Sequence, residues 1–336
     1  MDGILVVAKP AGPTSHDVVA LVRRLAATRR VGHGGTLDPF ATGVLPIFLG
    51  KATRVVEYHL GDRKAYRATV CFGATSTTDD LEGELTPVDG PPPTRDAVEA
   101  AVEGFRDRIT QTPPAYSAIK VGGRRAYAIA RAGQAVELAP REVEIHRLEI
   151  ASWDGSDPNR PIAIVDVECS AGTYVRALAR DLGVAVGSGA YLGALTRTAS
   201  GGFRLEAATG FDDVRAAAAE GPERLQALLL PVDAGLDSFP IVEIPADDVA
   251  AVARGQMIRP PAPLNGGEAA RYRVVAPDGS LVAIAAVRAG RLAPDKVFVD
   301  PPGRRPAAHL HVDAADEAEL DPPSSVDPDF ASPDDL

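Results

Sequence analysis

The run Gly32-His33-Gly34-Gly35-Thr36-Leu37-Asp38-Pro39-Phe40-Ala41-Thr42-Gly43-Val44-Leu45-Pro46-Ile47 limits what this chain can fold into more than any other stretch. Gly34-Gly35 permits a tight turn and the close approach of another molecule. Pro39 biases Asp38 away from helical angles toward an extended conformation. One carboxylate is thus held in a loop, with apolar residues directly behind it. With no helical or sheet duty to explain it, Asp38 is a candidate nucleophile. The alternative is an Asx-turn in which its side chain caps the loop.

Around this loop, the apolar pattern predicts a short buried strand at residues 4–7. A helix capped by Thr14 or Ser15 follows, with Val18, Val19, Leu21, Val22 and Leu25 at helical spacing. Residues 51–58 read as helical. Tyr66, Ala68, Val70 and Phe72 alternate as in a strand. Residues 73–93, rich in Thr, Asp and Pro, read as a long loop, and 95–105 as a helix presenting Val98, Val102 and Phe105. Residues 115–121 are extended, Gly122-Gly123 turns, and a basic helix follows. Strands are expected near 143–150, 162–167, 192–198 and 203–205, with a helix opened by Gly172 and running to about residue 182, and a further Ala-rich helix at 211–230.

This order has no regular βαβ rhythm and predicts an α+β fold with a mostly antiparallel sheet. From about Asp237 the character changes: a helix at 247–253 precedes strands at 272–275, 281–287 and 296–299, with hairpin turns at Asp278-Gly279 and Ala289-Gly290. We therefore expect a main domain over 1–230, a small β-rich domain over 237–300 and a disordered acidic tail over 301–336.

Charge distribution matters more than the net charge of −11. Residues 1–210 carry 24 basic and 24 acidic side chains, whereas 301–336 carry 2 basic against 9 acidic. Residues 1–77 are locally positive, with 10 basic and 5 acidic residues, and 117–133 hold Lys120, Arg124, Arg125 and Arg131 and no acid. Such local fields suit phosphate contacts despite the acidic total. Cys71 and Cys169, the two cysteines, sit in strand-like segments, as reduced core residues of a cytoplasmic protein would. Two cysteines with no neighbouring His or Cys do not suggest zinc. No stretch has the length and apolarity of a membrane span, and the acidic N-terminus lacks the pattern of a secretory signal.

Four further segments accompany Gly35-Thr36-Leu37-Asp38-Pro39. They are Lys9-Pro10; Lys64-Ala65-Tyr66-Arg67; Pro113-Pro114-Ala115-Tyr116-Ser117-Ala118-Ile119-Lys120; and Cys169-Ser170-Ala171-Gly172-Thr173-Tyr174-Val175-Arg176. In this order and spacing, over about residues 1–210, they resemble the bacterial tRNA pseudouridine synthases of the TruB family, which act on uridine 55 of the T-arm. The resemblance implies a pseudouridine-synthase-like fold, tRNA as partner, and a C-terminal piece loosely like a PUA-type RNA-binding domain. It implies that Asp38 is the catalytic aspartate, that Tyr66 lies against the target base, and that Arg176 pairs with the aspartate. Tyr174 belongs to the same motif as Arg176. His33 would insert into the T-loop and help hold the uridine everted. Lys9 and Lys120 fall in motifs near the site. Arg54 stands where the family often carries lysine, so a contact there keeps its charge but not its geometry. Leu195 and Arg197 match a Leu-x-Arg element, with Thr196 in place of a frequent second arginine.

The implied reaction breaks the N1–C1′ bond of uridine, turns the base over and joins C5 to C1′. It is an isomerisation, so no cofactor and no metal are expected, and we expect a monomer. A carboxylate near C1′ serves as nucleophile or base, and a guanidinium beside it favours its ionised form. Two other readings stay open. Asp38 with Thr36 and Thr42 could form an aspartyl intermediate in phosphoryl transfer, which needs an acidic cluster; Asp79-Asp80 is the nearest adjacent pair, in a loop expected to lie elsewhere. Alternatively, the chain is a non-catalytic RNA-binding or tRNA-folding module. Taken singly, Tyr66 reads as a half-buried strand residue, His33 as a loop histidine, and Arg176 as a surface partner of Asp181 or Glu168.

Overall fold

A computed structural model describes residues 1–117, 119–264, 267 and 270–301. All of the expected acidic tail except Pro301 lies outside the described residues. The chain opens with β1 (Gly3–Lys9), α1 (Ser15–Leu25), β2 (Val31–His33) and β3 (Thr42–Leu49). Then come α2 (Val56–Leu60), β4 (Lys64–Phe72), β5 (Ala74–Ser76), β6 (Leu85–Pro87), α3 (Arg95–Val102) and β7 (Asp107–Gln111). A small hairpin, β8 (Lys120–Val121) and β9 (Arg124–Arg125), leads into α4 (Ala126–Arg131). Long strands β10 (Arg141–Asp154) and β11 (Ile162–Cys169) precede α5 (Val175–Ala185), β12 (Ala190–Ser200), β13 (Phe203–Arg204) and β14 (Thr209–Gly210). Two helices, α6 (Phe211–Glu220) and α7 (Pro222–Ala227), lead to β15 (Ile241–Glu243), α8 (Ala246–Ala253), β16 (Arg271–Val275), β17 (Leu281–Arg288) and β18 (Arg291–Val297).

The large sheet runs β14-β1-β3-β12-β4-β11-β10-β7, with β2 on β3 and β13 on β12. It is mostly antiparallel, the parallel pairs being β1 with β14 and β3 with β12. Strand periodicity explains how it is covered on both faces. In β1, Leu5 and Val7 join a core with Val18, Val19 and Val22 of α1 and with Leu178 and Leu182 of α5. Ile4 and Val6 point the other way, into a second cluster with Val44, Phe48, Phe203, Leu236, Ile284 and Phe298. That second cluster ties the large sheet to the C-terminal four-stranded sheet β15-β16-β17-β18, whose own core includes Ile244, Val274, Val282 and Leu292. The mixed α+β architecture with a mostly antiparallel sheet is therefore the one the sequence predicts.

Several expected elements differ in detail. Residues 73–93 are not a featureless loop: β5 and β6 form a two-stranded ribbon, Ala74 opposite Pro87. The helix expected over 51–58 is a 3₁₀ turn, Gly50–Arg54, followed by the short α2. The 211–230 helix breaks between α6 and α7 at Gly221-Pro222, where Pro222 supplies no amide to continue the ladder. The last strand runs Arg291–Val297 rather than 296–299.

Candidate active site

The loop between β2 and β3 carries Asp38, and buried polar side chains fix it from three directions. Lys9, 1% exposed, donates its ammonium hydrogens to Pro10 O (2.8 Å), Pro13 O (2.8 Å) and Pro39 O (3.1 Å). Ser15 Oγ accepts from Leu37 N (2.8 Å) and donates to Leu37 O (3.0 Å). It is free to do so because Thr14 caps α1, in a capping box with Asp17. Arg197, 1% exposed, donates to Val44 O (2.7 Å), Gly35 O (3.1 Å) and Thr36 O (3.4 Å). Two glycines are required here. Gly35 sits at φ +132, and at Gly43 a Cβ would lie 2.2 Å from Arg197 O, so only glycine lets β3 run beside β12 at that point.

Arg176 enters from the first turn of α5 and is 5% exposed. Its Nη2 donates to Asp38 Oδ1 (3.2 Å) and Tyr116 O (2.9 Å); its Nη1 donates to Thr78 O (3.2 Å) and Asp80 Oδ2 (3.1 Å). Its Nε lies 3.1 Å from Asp38 Oδ2 but makes no aligned hydrogen bond. Oδ2 is thus the less committed oxygen of a side chain that remains 34% exposed. Arg176 is no surface partner of Asp181 or Glu168.

The position of Asp80 corrects the expectation that the Asp79-Asp80 pair lies away from Asp38. The β5–β6 ribbon folds back so that Asp80, 2% exposed, pairs with the same guanidinium that holds Asp38. Its carboxylate accepts from Arg176, from Thr78 Oγ1 and from Glu82 N (3.0 Å), so the ion pair and local turn use its lone pairs. Burial pushes the Asp38 carboxyl above the usual aspartate range; Arg176 pulls it down, Asp80 pushes it up and Lys9 pulls it down again. Among the described residues, no three His, Cys, Asp or Glu side chains are grouped to share a metal ion.

Tyr66 comes from β4, in register with Arg197 of β12, which itself pairs with Gly43 of β3. This line across three strands brings Tyr66, the loop clamp and the base of the Asp38 loop side by side. Burial raises the Tyr66 hydroxyl, with Arg197 opposing and the Asp38 charge adding to the rise. His33 ends β2, its ring edge-on to His16 at 5.5 Å. His33 Nδ1 accepts from Gly35 N (3.2 Å), so the neutral ring carries its proton on Nε2. Burial, with the charges of His16 and Arg197, lowers its pKa to about 4.

The remaining expected residues divide. Tyr174 precedes α5, its backbone held by both ends of the Gln111 amide (2.8 and 3.1 Å) and its ring under Arg141 at 4.7 Å. Leu195 is buried in the core, and its carbonyl accepts from Thr42 Oγ1 at 3.5 Å. Thr196 Oγ1 meets Thr42 Oγ1 at 2.9 Å, a hydroxyl pair at the position of the missing second arginine. Lys120 is exposed on the β8–β9 hairpin. Two residues spend donors on protein carbonyls. Lys9 is sealed beneath the loop because its three donors are spent on carbonyls. Arg54 donates to Val297 O of the C-terminal sheet and is not drawn to Asp38. Beyond the motifs, the fold adds Asp80, Ser15 and Gln111. Of these, Ser15 is visible in the sequence as an alternative helix cap and Asp80 as half of an acidic pair expected elsewhere, while Gln111 carries no sequence signal.

A partly exposed carboxylate paired with a buried guanidinium beside a mixed sheet makes this a candidate active site of an enzyme. The model of the TruB family pseudouridylate synthase N-terminal domain matches residues 23–175, and that of the tRNA pseudouridylate synthase B C-terminal domain matches 176–237. The tRNA pseudouridine synthase B of Thermobifida fusca is 43% identical over 304 residues, 88% of this chain and 98% of that protein. The protein of the same name from Geobacillus kaustophilus is 45% identical over 266 residues, 78% of this chain and 92% of its own. Among solved structures, a chain of a Cbf5-Nop10-Gar1 complex superposes with a TM-score of 0.67 at 26% identity, covering 89% of this chain and 85% of that one. The chain belongs to the TruB family of pseudouridylate synthases.

Proposed function

We propose that this protein isomerises uridine to pseudouridine in tRNA, at position 55 of the T-arm, with Asp38 as the catalytic carboxylate. The observation that carries the reading is the Asp38–Arg176 pair: a partly open aspartate whose Oδ1 is held by a guanidinium while Oδ2 is left without an aligned donor. Attack at C1′, addition at C6 and removal of a ribose proton all require the anion, and Arg176 supplies the nearby positive charge that keeps it ionised in a desolvated cleft. The other hydrogen bonds of Arg176 prevent it from following the carboxylate as the sugar shifts.

Tyr66 offers a ring face on which a detached uracil stays while it turns over. His33, neutral and with Nε2–H as donor, fills the gap left by the everted base and offsets the broken stacking. Tyr174 and Leu195 form the wall and floor, Lys9 and Arg197 clamp the loop from beneath, and Lys120 offers charge to the RNA backbone. Arg54 belongs with the second sheet. We assign catalysis to residues 1–230 and a PUA-type RNA-binding role to 237–300, in a cytoplasmic monomer. The reaction gains nothing from outside, so the chemistry described needs no cofactor.

The test is to incubate the purified chain with an unmodified tRNA transcript, without nucleotide or added metal, and map pseudouridine. Formation at position 55 is expected. Asp38→Asn is expected to reduce the single-turnover rate by about 10⁴-fold or more, with tRNA affinity within a few-fold of wild type. An Asn variant that retains wild-type isomerisation would falsify the assignment, and function without isomerisation would leave a binding or folding module.

A further inference from the structure

Four residues beyond Arg176, one helical turn along α5, Arg180 lies on the same face and reaches the same two walls of the cleft. Arg176 binds Thr78 O and Asp80 on one wall and Tyr116 O on the other. Arg180 binds Asp79 Oδ2 on the first wall (Nη1, 2.7 Å) and Thr112 O on the second (Nη2, 2.8 Å), and its Nε is steadied by Asp181 Oδ1 (2.8 Å). Two adjacent arginines thus span the gap between the 78–80 turn and the 112–117 segment.

The turn is unusual in its backbone. Asp79 sits at φ +62, a left-handed conformation that aspartate adopts more readily than most residues but that still costs energy. Its amide donates to Ser76 O (3.2 Å), its carbonyl accepts from Leu192 N (3.0 Å), and its side chain, 15% exposed, is paired with Arg180. The next residue, Asp80, carries the carboxylate that fixes Arg176. Release of Asp79 would let this turn relax, and Asp80 would move with it.

We propose that Arg180 and Asp79 form a positioning pair: they hold the 78–80 turn so that Asp80 sets Arg176, and Arg176 sets Asp38. Neither residue touches the substrate. The pair acts through the ion-pair chain Arg180–Asp79, Asp80–Arg176, Arg176–Asp38. The proposal rests on the isomerase reading and adds to it a second ion pair that determines rate without contributing to RNA binding.

The groups that face Asp38 are Arg176 from α5, Asp80 from the β5–β6 turn and Lys9 from β1. Those facing Asp79 are Arg180, Arg176 and Asp181. If the turn loosens, Asp38 loses part of the Arg176 charge that opposes its burial; this outweighs the loss of the smaller Asp80 push, and its ionisation moves to higher pH. This is a readout that mere loss of stability does not produce. Single-turnover pseudouridine formation by the full chain on an unmodified tRNA transcript is measured across pH for wild type, Arg180→Met, Arg180→Lys, Asp79→Asn and the Asp79→Asn/Arg180→Met double variant. Arg180→Met is expected to slow the saturated rate about tenfold or more, as a small displacement of reacting groups does, with tRNA affinity within about twofold. Its acid limb is expected to move up by about half a pH unit. Arg180→Lys should recover part of the rate, and the double variant should be no slower than Arg180→Met alone, because both changes break the same ion pair.

An Arg180→Met enzyme with wild-type rate and limb overturns the proposal, as does a slow one whose limb has not moved or a double variant whose loss is the product of the single losses. If Arg180→Met does not fold, Arg180→Lys and Asp79→Asn decide: both must be slower with a raised limb, and wild-type behaviour in either overturns the pair. Wild type that forms no pseudouridine overturns the isomerase reading itself. Wild type that forms it while the variants match it overturns only the positioning pair.

Discussion

Two segments flank the cleft and are built by opposite rules. The 34–41 loop has little regular structure, yet it is tied down by side chains that are themselves buried: Lys9, Ser15 and Arg197 each bond its backbone. The arm that holds β8, β9 and α4 has regular hydrogen bonds, Ala126 N to Ile119 O at 2.7 Å and Tyr127 N to Ser117 O at 3.0 Å, but buries only Ala126 of its helix. Lys120, Arg124 and Arg131 stay exposed, and Arg131 lies over the ring of Tyr127 at 5.8 Å. The loop is rigid because buried donors left unpaired are costly, about 1–3 kcal/mol each. The arm's charges, by contrast, are already solvated and tie it to no buried partner that would be costly to lose. A reacting carboxylate needs the first kind of support, and an RNA backbone tolerates the second.

Of the effects that test this contrast, the largest lies on the loop side. Arg176→Lys keeps one positive charge but cannot hold Asp38, Asp80, Thr78 O and Tyr116 O together, since an ammonium lacks the planar fork. We expect the single-turnover rate to fall about 10²-fold or more, with tRNA affinity little changed. A lysine variant within a few-fold of wild type would mean that charge alone suffices and that the rigidity contrast between loop and arm has no catalytic weight.

The arm should behave in the reverse sense. Combined Lys120→Ala, Arg124→Ala and Arg131→Ala is expected to weaken tRNA binding and to flatten the slope of log affinity against log salt by about 0.7–0.9 for each phosphate that the variant no longer neutralises. At saturating enzyme, the rate of the chemical step should stay near wild type. A binding titration at several salt concentrations, paired with single-turnover rates, separates the two. A fall in the saturated rate with an unchanged salt slope would place the arm in the chemistry and erase the distinction.

The same contrast explains what is legible in the sequence. Asp38, Arg176 and Tyr66 each sit in a local motif. The alternation of Tyr66, Ala68, Val70 and Phe72 also marks β4, because a half-buried strand writes its pattern in consecutive residues. β3 reads only as the apolar continuation of the loop: Thr42–Leu49 is buried on both faces, so nothing alternates. The place of Asp80 beside Asp38 escapes a sequence reading for a different reason. Its role depends on the short β5–β6 ribbon turning back over the cleft, which burial of the turn decides and no periodicity records. Lys9 falls in a motif near the site, but a lysine that spends all three donors on carbonyls 1, 4 and 30 residues away cannot be told from a solvent-facing one by spacing.

The smallest expected effect tests the loop through its histidine. Burial lowers His33 to about 4 from an ordinary 6.5, so between those values the unfolded chain binds a proton that the folded chain refuses. Stability from this residue is therefore fully present above pH 6.5 and is lost as pH falls through the window toward 4. Its ring is partly exposed, so solvent trims the effect to about 1–2 kcal/mol. His33→Gln keeps a polar group but cannot titrate, and denaturant unfolding at about pH 7 and about pH 4.5 should show a smaller acid-side loss for the variant than for wild type. Equal losses would mean that His33 is as solvated as the arm residues, and the rigid character of the 34–41 loop would then end at Gly35 rather than extend into β2.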